Sequence, residues 1–433
     1  MMFLATSSLG LKQKMPLKLV HYLLALIYNF CFKLIRDGNE GNMGTLFVNF
    51  VELVLRRSQS KSIQKFHLKT HYGFQESDAA RLIELICWAV DRNVCSLTLK
   101  FDFAVERPMI RLPRSILTCK SLVKLSLGFS AFVLDIPDCA VCFSCLKFLS
   151  IYLYPPNSNS LQKLFRSCPI PEELKIKEWH DMDGNVLSFD INVPTLKKLK
   201  IHLATYYDDI LVHRFVVRAS NLEYLDLCND YLACVIVGET PFLNKVILGD
   251  DVIGRLINEH PEDEATMRDF FRAISSTRFL SLVLCPHLYG NLPFFPNLIY
   301  LDFGFDILAC FELLVQFFNN SPNLEVLVLE EVDDFCGYDN RFELECVPYC
   351  MLLHLKEIYI FSVENCLEVI KCLLENSKVL ERFLVHIWSG KDKQGIQNEI
   401  LNFPRASPVC VIEFVDYSCE EKKKLRSKFL EYR

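Results

Sequence analysis

Glycine is scarce in this chain. The sequence has 15 glycines in 433 residues, about 3.5%, whereas folded proteins average about 7%. Because glycine supplies the unusual backbone angles of phosphate-cradling loops, we do not expect such loops here. The sequence also contains no P-loop, no GxGxxG and no Gly-x-Ser-x-Gly pattern. Nucleotide binding and serine-hydrolase chemistry are therefore left without a motif.

An excess of positive charge is also missing. The chain has 47 Lys+Arg and 53 Asp+Glu, a formal net charge of -6. Bulk attraction to a phosphate backbone requires a basic protein. We therefore expect no nucleic-acid partner.

Long hydrophobic runs are absent too. The candidate for a membrane segment, residues 19–32, has 14 residues and is interrupted by His21 and Asn29. A spanning helix needs about 20 apolar residues, and the basic stretch that follows has no small-residue cleavage site. We expect neither a membrane anchor nor a secretory leader.

The 19 cysteines are an odd number scattered along the chain. Without a leader they are expected to be reduced and mostly buried, as is usual in the cytoplasm or nucleus. Cys139, Cys142 and Cys145 have a CxxCxxC spacing. A zinc or iron-sulfur site would need a fourth ligand, and the positions three and four residues further on are Phe148 and Leu149.

Two other patterns are similar to metal sites but incomplete. His67 and His71 are four residues apart, but they lie in a strand-like stretch, where that spacing is too wide for one ion. Asp181 and Asp183 begin a calcium-like loop that lacks the closing glutamate. We therefore expect no metal and no cofactor.

The dominant feature of the sequence is a repeat with apolar residues at its positions 1, 4 and 6. Its strong copies start at residues 122, 146, 196, 222, 298 and 324, and weaker copies start at residues 63, 94, 171, 243, 279, 355 and 380. The starts at 122, 146, 171, 196 and 222 are separated by 24, 25, 25 and 26 residues. Leucine-rich repeats have periods of about 20–29 residues.

The apolar spacing predicts the fold class. Positions 4 and 6 lie on the same side of a short strand, so each repeat buries one edge and must stack on its neighbours. Helical spacing appears between strands, for example in the stripe Ala79, Leu82, Ile83, Ile86 and Val90. The sequence therefore predicts an α/β irregular leucine-rich-repeat solenoid, with a parallel sheet on the concave face and helices outside.

Four stretches carry a resemblance to a known family. Residues 112–127, 160–174 and 219–225 resemble plant F-box proteins with leucine-rich repeats, and residues 347–414 resemble the C-terminal FBD module of that family. The resemblance covers roughly residues 45–416. It implies a substrate receptor of an SCF-type cullin-RING ubiquitin ligase, in which an N-terminal F-box binds a Skp-type adaptor and the repeats bind a protein substrate.

The N-terminus departs from the family pattern. Residues 15–27 are similar to a worn first F-box helix, but Leu17 and Lys18 occupy the places of two acidic residues, and no Trp precedes Trp88. The adaptor-binding part is therefore expected to be missing or degenerate, or replaced through an incorrect first exon. An F-box-less interaction scaffold outside the ligase is the alternative function.

The resulting domain prediction has four segments. They are residues 1–43, a degenerate or replaced F-box region; 44–340, the leucine-rich repeats; 341–416, the FBD domain; and 417–433, a charged tail. The FBD domain is expected to extend the solenoid and close its apolar end, with Leu355, Ile358, Ile360, Leu380 and Phe383 facing inward.

The candidate site is the concave face of the strands. Residues between the buried leucines should project onto it, and aromatic side chains mixed with charges are typical of protein recognition. A catalytic role is not expected, because a nucleophilic cysteine needs a base that no local motif supplies. The candidate binding residues are Lys124, Phe148, Tyr152, Lys198, Lys200, His202, Tyr224, Asp226, Tyr300, Asp302 and Tyr359.

Overall fold

The structure is a computed structural model that describes most of the chain between residues 43 and 416. The described ranges are 43–57, 62–70, 76–101, 110–128, 132–133, 143–153, 158–168, 171–178, 188–202, 214–228, 234–236, 238–249, 268–284, 292–305, 307–331, 344–361, 367–387 and 393–416. The F-box-like residues 15–27 and the hydrophobic segment 19–32 lie outside these ranges, as do Cys139, Cys142, His71 and Asp181–Asp183.

The chain divides into two compact units, Met1–Leu222 and Glu223–Arg433. Unit 1 contains, in chain order, α1 (Met43–Arg57), β1 (Lys65–Thr70), α2 (Glu76–Val90), β2 (Ser96–Phe101), β3 (Ile110–Arg111), a 3-10 turn (Arg114–Ile116), β4 (Lys124–Gly128), β5 (Phe132–Val133), β6 (Phe148–Leu153), α3 (Ser158–Ser167), β7 (Glu173–Glu178), β8 (Ser188–Asn192), β9 (Lys198–His202) and β10 (Arg214–Arg218).

Six strands of unit 1 form a parallel sheet in the order β1-β2-β4-β6-β7-β9. Parallel pairing follows from the repeat, since every strand enters from the same turn and leaves toward the same side. In the copy that starts at Leu122, Leu125 and Leu127 point inward with Leu122, and all three are buried. The same three positions are buried in the copies that start at Leu146 and Leu196.

The second layer of unit 1 contains the predicted helix and short strands that were not predicted. The stripe predicted around Ile86 forms α2, and the chain turns at Asn93, whose φ of 56° is left-handed. Two further parallel pairs, β3 with β5 and β8 with β10, lie outside the main sheet. In the β8–β10 pair, Phe189 stacks on Phe215 with ring centroids 5.7 Å apart. The second layer of unit 1 therefore consists of helices and of these short strand pairs.

A polar ladder joins successive repeats. The residue just before the first leucine of a repeat donates a side-chain hydrogen bond to a backbone carbonyl of the preceding turn. Ser, Thr and Asn share a side-chain donor short enough to reach this nearby carbonyl, which explains their presence at this position. The rungs are Ser121 Oγ to Val94 O (3.1 Å), Thr195 Oγ1 to Pro171 O (3.2 Å), Asn221 Nδ2 to Pro194 O (2.8 Å), Asn297 Nδ2 to Ser276 O (3.3 Å) and Asn323 Nδ2 to Pro296 O (2.8 Å).

Unit 2 repeats the architecture with more helices. It contains β11 (Tyr224–Cys228), β12 (Cys234–Ile236), β13 (Lys245–Gly249), a helical stretch at residues 268–273, β14 (Phe279–Leu284), β15 (Tyr300–Phe305), α4 (Ile307–Asn320), β16 (Val326–Glu331), α5 (Tyr349–Leu353), β17 (Glu357–Phe361), α6 (Leu367–Asn376), β18 (Arg382–Ile387), α7 (Lys393–Asn402) and β19 (Val411–Asp416).

The strands of unit 2 form a parallel sheet in the order β11-β13-β14-β15-β16-β17-β18-β19. Residues 311–318 and 367–374 have the same helical apolar spacing and lie in α4 and α6. Phe317 of α4 packs edge-on against Phe303 of β15, with ring centroids 5.8 Å apart, which joins the helical layer to the strand layer.

The C-terminal segment continues the sheet of unit 2. Strand β17 pairs with β16 on one side and with β18 on the other, so residues 344–416 add strands to the same array. The five residues predicted to face inward are all buried, with exposed fractions of 0–1%. The predicted solenoid fold with a C-terminal extension is thus confirmed, while the predicted boundary between residues 340 and 341 stays a prediction.

The helices in the described part of the chain are short or amphipathic. None of them combines the length and the apolarity that crossing a membrane requires.

Candidate functional site

In unit 1, the strand face opposite the leucine core is lined by lysines. Strand register places its side chains in rows that run across the strands. One row is Lys65, Ser96, Lys124, Phe148, Glu173 and Lys198; the next is His67, Thr98, Ser126, Ser150, Lys175 and Lys200. A third position on the strands carries Lys69, Lys100, Tyr152, Lys177 and His202. We call these side chains the basic face.

The predicted site residues of unit 1 all lie on the basic face. Lys124 and Lys198 are exposed, and Phe148, Tyr152, Lys200 and His202 are half-buried. The register argument therefore placed these side chains on the predicted side of the sheet. Their role in binding stays a prediction.

An aromatic ring lies in the middle of the basic face. The Lys124 ammonium is 4.2 Å from the centroid of the Phe148 ring, and the Lys175 ammonium is 5.0 Å from it. Lys175 also forms an ion pair with Glu173 at 2.9 Å. Strands β4 and β7 flank β6, which carries Phe148. Attraction between the ammonium groups and the ring quadrupole holds one lysine from each flanking strand close to this apolar ring.

The charges of the basic face affect one another. Burial lowers the pKa of Lys100, and the positive charges of Lys69, Lys177, Lys124 and Lys175 lower it further. The pKa of the His67 imidazole is also lowered, first by burial and then by Lys65, Lys124 and Lys100. Lysines from at least three strands therefore act on the same region of space.

Unit 2 presents a different surface at the equivalent positions. Phe279, Tyr300, Val328, Tyr359, Phe361 and Leu384 pack into one cluster, which we call the apolar face, with Ile299, Val326 and Val415 against it. Phe279 and Tyr300 face each other across β14 and β15, with ring centroids 6.0 Å apart. Rows of large apolar side chains on adjacent strands cover one another.

Four site residues of unit 2 lie on the predicted side of the sheet but are buried there. Asp226, Tyr300, Asp302 and Tyr359 are only 7%, 4%, 2% and 0% exposed, while Tyr224 is half-buried. The physical reason is their neighbours: bulky side chains in the same rows close over the tyrosines. Their role in binding stays a prediction.

The two buried carboxylates have hydrogen-bond donors on the same face. Ser281 Oγ donates to Asp302 Oδ2 at 2.9 Å, and the Tyr224 hydroxyl donates to Asp226 Oδ2 at 3.0 Å. Such bonds offset the cost of removing a carboxylate from water.

A polar network borders the apolar face. Arg382 donates two hydrogen bonds to Glu413, from Nε to Oε1 at 3.0 Å and from Nη2 to Oε2 at 2.7 Å. It also donates to the Tyr359 hydroxyl at 3.3 Å, and that hydroxyl donates to Glu357. Burial and the nearby Glu357 carboxylate raise the pKa of Tyr359, whereas the bond from Arg382 lowers the pKa of Glu413.

Sequence reasoning missed several residues of both surfaces. The residues Lys65, His67, Lys69, Lys100, Lys175, Lys177, Glu357, Arg382 and Glu413 were not among the predicted binding residues. A signal was present for all but Glu413, because they occupy outward positions of the repeat copies. The unit 1 residues lie in the weaker copies that start at residues 63, 94 and 171.

Reactive-thiol and metal chemistry have little support in the described part of the chain. Burial raises the pKa of Cys350 to about 12 and that of Cys372 to about 11, the opposite of what a thiolate nucleophile needs. Within the described ranges, no three His, Cys, Asp or Glu side chains are grouped so that they could hold a metal ion.

Comparison with known proteins gives a consistent result. Residues 86–246 match the family profile described as "FBD-associated F-box protein At5g56370, LRR repeats". The Arabidopsis thaliana F-box/FBD/LRR-repeat protein At1g13780 is 25% identical over 407 residues, 86% of each chain.

Two further Arabidopsis thaliana relatives agree. The F-box/LRR-repeat protein At1g06630 is 28% identical, covering 67% of this chain and 70% of its own. The putative FBD-associated F-box protein At3g50710 is 26% identical, covering 84% of this chain and 85% of its own. These matches confirm the resemblance that the repeat pattern and the C-terminal segment predicted.

Proposed function

Because the chain is related to the plant F-box/FBD/leucine-rich-repeat proteins, we propose that it is a non-catalytic substrate receptor of an SCF-type cullin-RING ubiquitin ligase. In this role the repeats bind a protein substrate in the cytoplasm or nucleus, and any binding of a Skp-type adaptor falls to the degenerate F-box region before Met43. The relatives carry F-box and LRR-repeat in their names, which supports a protein-interaction module of the F-box family.

One observation carries the substrate-binding half of the proposal. Unit 1 presents six parallel strands whose outward side chains are lysines, hydroxyl groups, two histidines, two aromatic rings and a glutamate, and all of them except Ser126 are half-buried or exposed. Stacked repeats commonly use such a continuous strand face to bind other proteins. A face built from regular strands also holds its side chains at fixed spacings, which limits the entropy lost on binding.

The alternative is an interaction scaffold outside the ligase. The observation that favours it is the sequence at residues 15–27, where Leu17 and Lys18 stand in place of an acidic pair. The scaffold would keep the binding face and lack the adaptor.

Affinity capture distinguishes the two functions. The full chain and a chain that begins at Met43 are each immobilised and mixed with a purified Skp-type adaptor and cullin. We expect the full chain to retain both proteins and the shortened chain to retain neither, while both chains stay folded by circular dichroism. If the folded full chain retains no adaptor, the receptor function is wrong and the scaffold function is favoured.

A further inference from the structure

The basic face is unusual for this chain because its charge opposes that of the whole. It carries eight lysines and one glutamate, a formal charge of +7. The complete chain has a net charge of -6, so everything outside the basic face carries -13. A local concentration of one sign on an oppositely charged protein produces a directed field.

The lysines of this face repel one another when the face is empty. Burial and four other lysines disfavour the charged form of Lys100, and burial and three lysines disfavour the charged form of His67. A bound anion would relieve this repulsion and add attraction, so binding gains from both terms. Repulsion among the lysines therefore indicates that the ligand is negatively charged.

The shape of the charge distribution indicates an extended ligand. The lysines are spread over five of the six strands and over three positions along them instead of converging on one point. Parallel strands about 4.8 Å apart give a width of roughly 24 Å, which a fully extended peptide of about seven residues would cross. A single small anion could contact only a few of these lysines.

The aromatic side chains favour a peptide over a nucleic acid. Phe148 lies between Lys124 and Lys175 and makes cation–π contacts with both, so a base would have to displace these lysines to stack on the ring. The described positions of the face contain no arginine, the residue that recognises phosphate and bases best. A long polynucleotide would also extend beyond the face toward a protein that is otherwise acidic.

We infer that the basic face of unit 1 binds an extended acidic peptide segment, rich in Asp and Glu and carrying an apolar side chain that contacts the edge of the Phe148 ring. This inference rests on the proposed function, because it states the chemical class of the substrate segment that the receptor holds. The carboxylates pair with lysines of successive strands, and Tyr152 offers a second aromatic contact on the same strand.

Fluorescence anisotropy with the full chain tests the inference. The probe is a labelled heptapeptide of Asp and Glu with one central Leu; the comparison probes are its Asn/Gln counterpart and a single-stranded oligonucleotide of equal charge. We expect binding of the acidic probe only, weakening as salt is raised because the contacts are ionic. Absence of binding at low salt, or equal binding of the oligonucleotide, would overturn the inference.

Matched variants locate the site. Removing two ion pairs in Lys124→Gln/Lys175→Gln should lower the affinity for the acidic probe about tenfold, and Lys198→Gln/Lys200→Gln should act in the same direction. Lys356→Gln/Lys378→Gln removes two exposed lysines of unit 2 and should leave the affinity unchanged. Unaltered binding by both unit 1 variants, each folded by circular dichroism, would place the acidic probe elsewhere and refute the assignment.

The outcomes separate this inference from the proposed function. Adaptor and cullin capture is measured on the same full-chain preparation. If the adaptor is retained and the acidic probe does not bind, the receptor function survives and the acidic-substrate inference fails. If the acidic probe binds with the expected variants and the adaptor is not retained, the binding site stands and the receptor function fails.

Discussion

The basic face of unit 1 and the apolar face of unit 2 are built by the same repeat but have different environments. In both units, leucines at fixed positions point into the core, and the residues between them point the other way. In unit 1 those residues include eight lysines, whose charged ends keep the face hydrated. In unit 2 they include Tyr300, Val328, Tyr359 and Leu384, which pack together. The repeat therefore determines direction, while neighbouring side chains determine burial.

Because of this difference, we expect the basic face to contribute mainly to binding and the apolar face mainly to stability. A hydrated face of like charges contributes little to stability and is available for recognition. A packed apolar face contributes to the free energy of unfolding as a second core does. Substitutions in the two units should therefore be separable by whether they change stability or binding.

The largest effect is expected when the C-terminal segment is removed. A chain of residues 44–340 would lose β17, β18 and β19 and expose the edge of β16, along with the apolar residues that pack against β17. Each buried apolar side chain contributes about 1.5–3 kcal/mol, so several exceed the stability of a typical domain. We expect an insoluble or molten product, judged by sedimentation and by cooperativity of unfolding.

A soluble fragment of residues 44–340 that unfolds cooperatively would contradict this expectation. It would show that residues 341–416 form an independent domain instead of an extension of the sheet.

The next effect concerns Tyr359, which is fully buried in the apolar face. Tyr359→Ala should lower the free energy of unfolding by about 3–5 kcal/mol, because a large cavity replaces the ring. Tyr359→Phe keeps the ring and removes the bonds to Glu357 and Arg382, so it should cost only about 1 kcal/mol. Denaturant unfolding measures both; similar small losses for the two variants would mean that the ring is not part of a core.

A smaller, pH-dependent effect is expected at Glu413. Hydrogen bonds from Arg382 hold its pKa below the ordinary value of 4.5 in the folded protein. A depressed carboxyl pKa stabilises the fold above the unfolded value and loses that contribution as the pH falls through the folded value. Glu413→Gln should therefore cost about 0.5–1 kcal/mol at neutral pH, and the difference from the unmodified chain should disappear in acid below 4.5.

The control for Glu413 is an exposed ion pair of the same unit. Arg272 and Asp269 are 2.8 Å apart with side chains 67% and 71% exposed, so Asp269→Asn should change stability little at either pH. Unfolding curves at neutral and acid pH compare the variants. A pH-independent loss for Glu413→Gln would exclude the ion pair as its source.

The smallest effect is expected in unit 1. Lys100→Met keeps the aliphatic stem and removes a charge that four neighbouring lysines disfavour, so it should stabilise the chain by no more than about 0.5 kcal/mol. The gain should shrink at high ionic strength, because salt screens the repulsion. Thermal unfolding at low and high salt measures it, with Lys378→Met as the exposed control. A salt-independent gain would indicate better packing instead of relieved repulsion.

Much of the fold could be predicted because the repeat encodes it locally. The three apolar positions beginning at Leu122 or Leu298 specify a strand by their spacing, and the stripe around Ile86 specifies a helix. The parallel pair β8–β10 was missed because Phe189 and Phe215 stack only after the main sheet has brought distant segments together.

The sequence predicted on which side of the sheet the candidate site residues lie, but it did not predict how deeply they are buried. Register alone placed Lys124 and Tyr359 on the side away from the leucines. Burial depends on what the adjacent strands carry at the same row: Lys124 pairs with Ser96 and Phe148, whereas Tyr359 lies between Val328 and Leu384. Those neighbours are more than twenty residues away in the chain, so spacing within one repeat does not reveal them.

The polar ladder has a consequence for how such a protein can vary. Each rung, such as Asn323 to Pro296, connects one repeat only to the turn before it. The chain between two rungs can then lengthen at the modest cost of closing a larger loop. Strand pairing aligns Thr277, and not Phe279, with the repeat starts at Leu243 and Leu298. The two gaps are therefore 34 and 21 residues, which illustrates this freedom. Insertions could diversify the rim of the array while the strand faces keep their register.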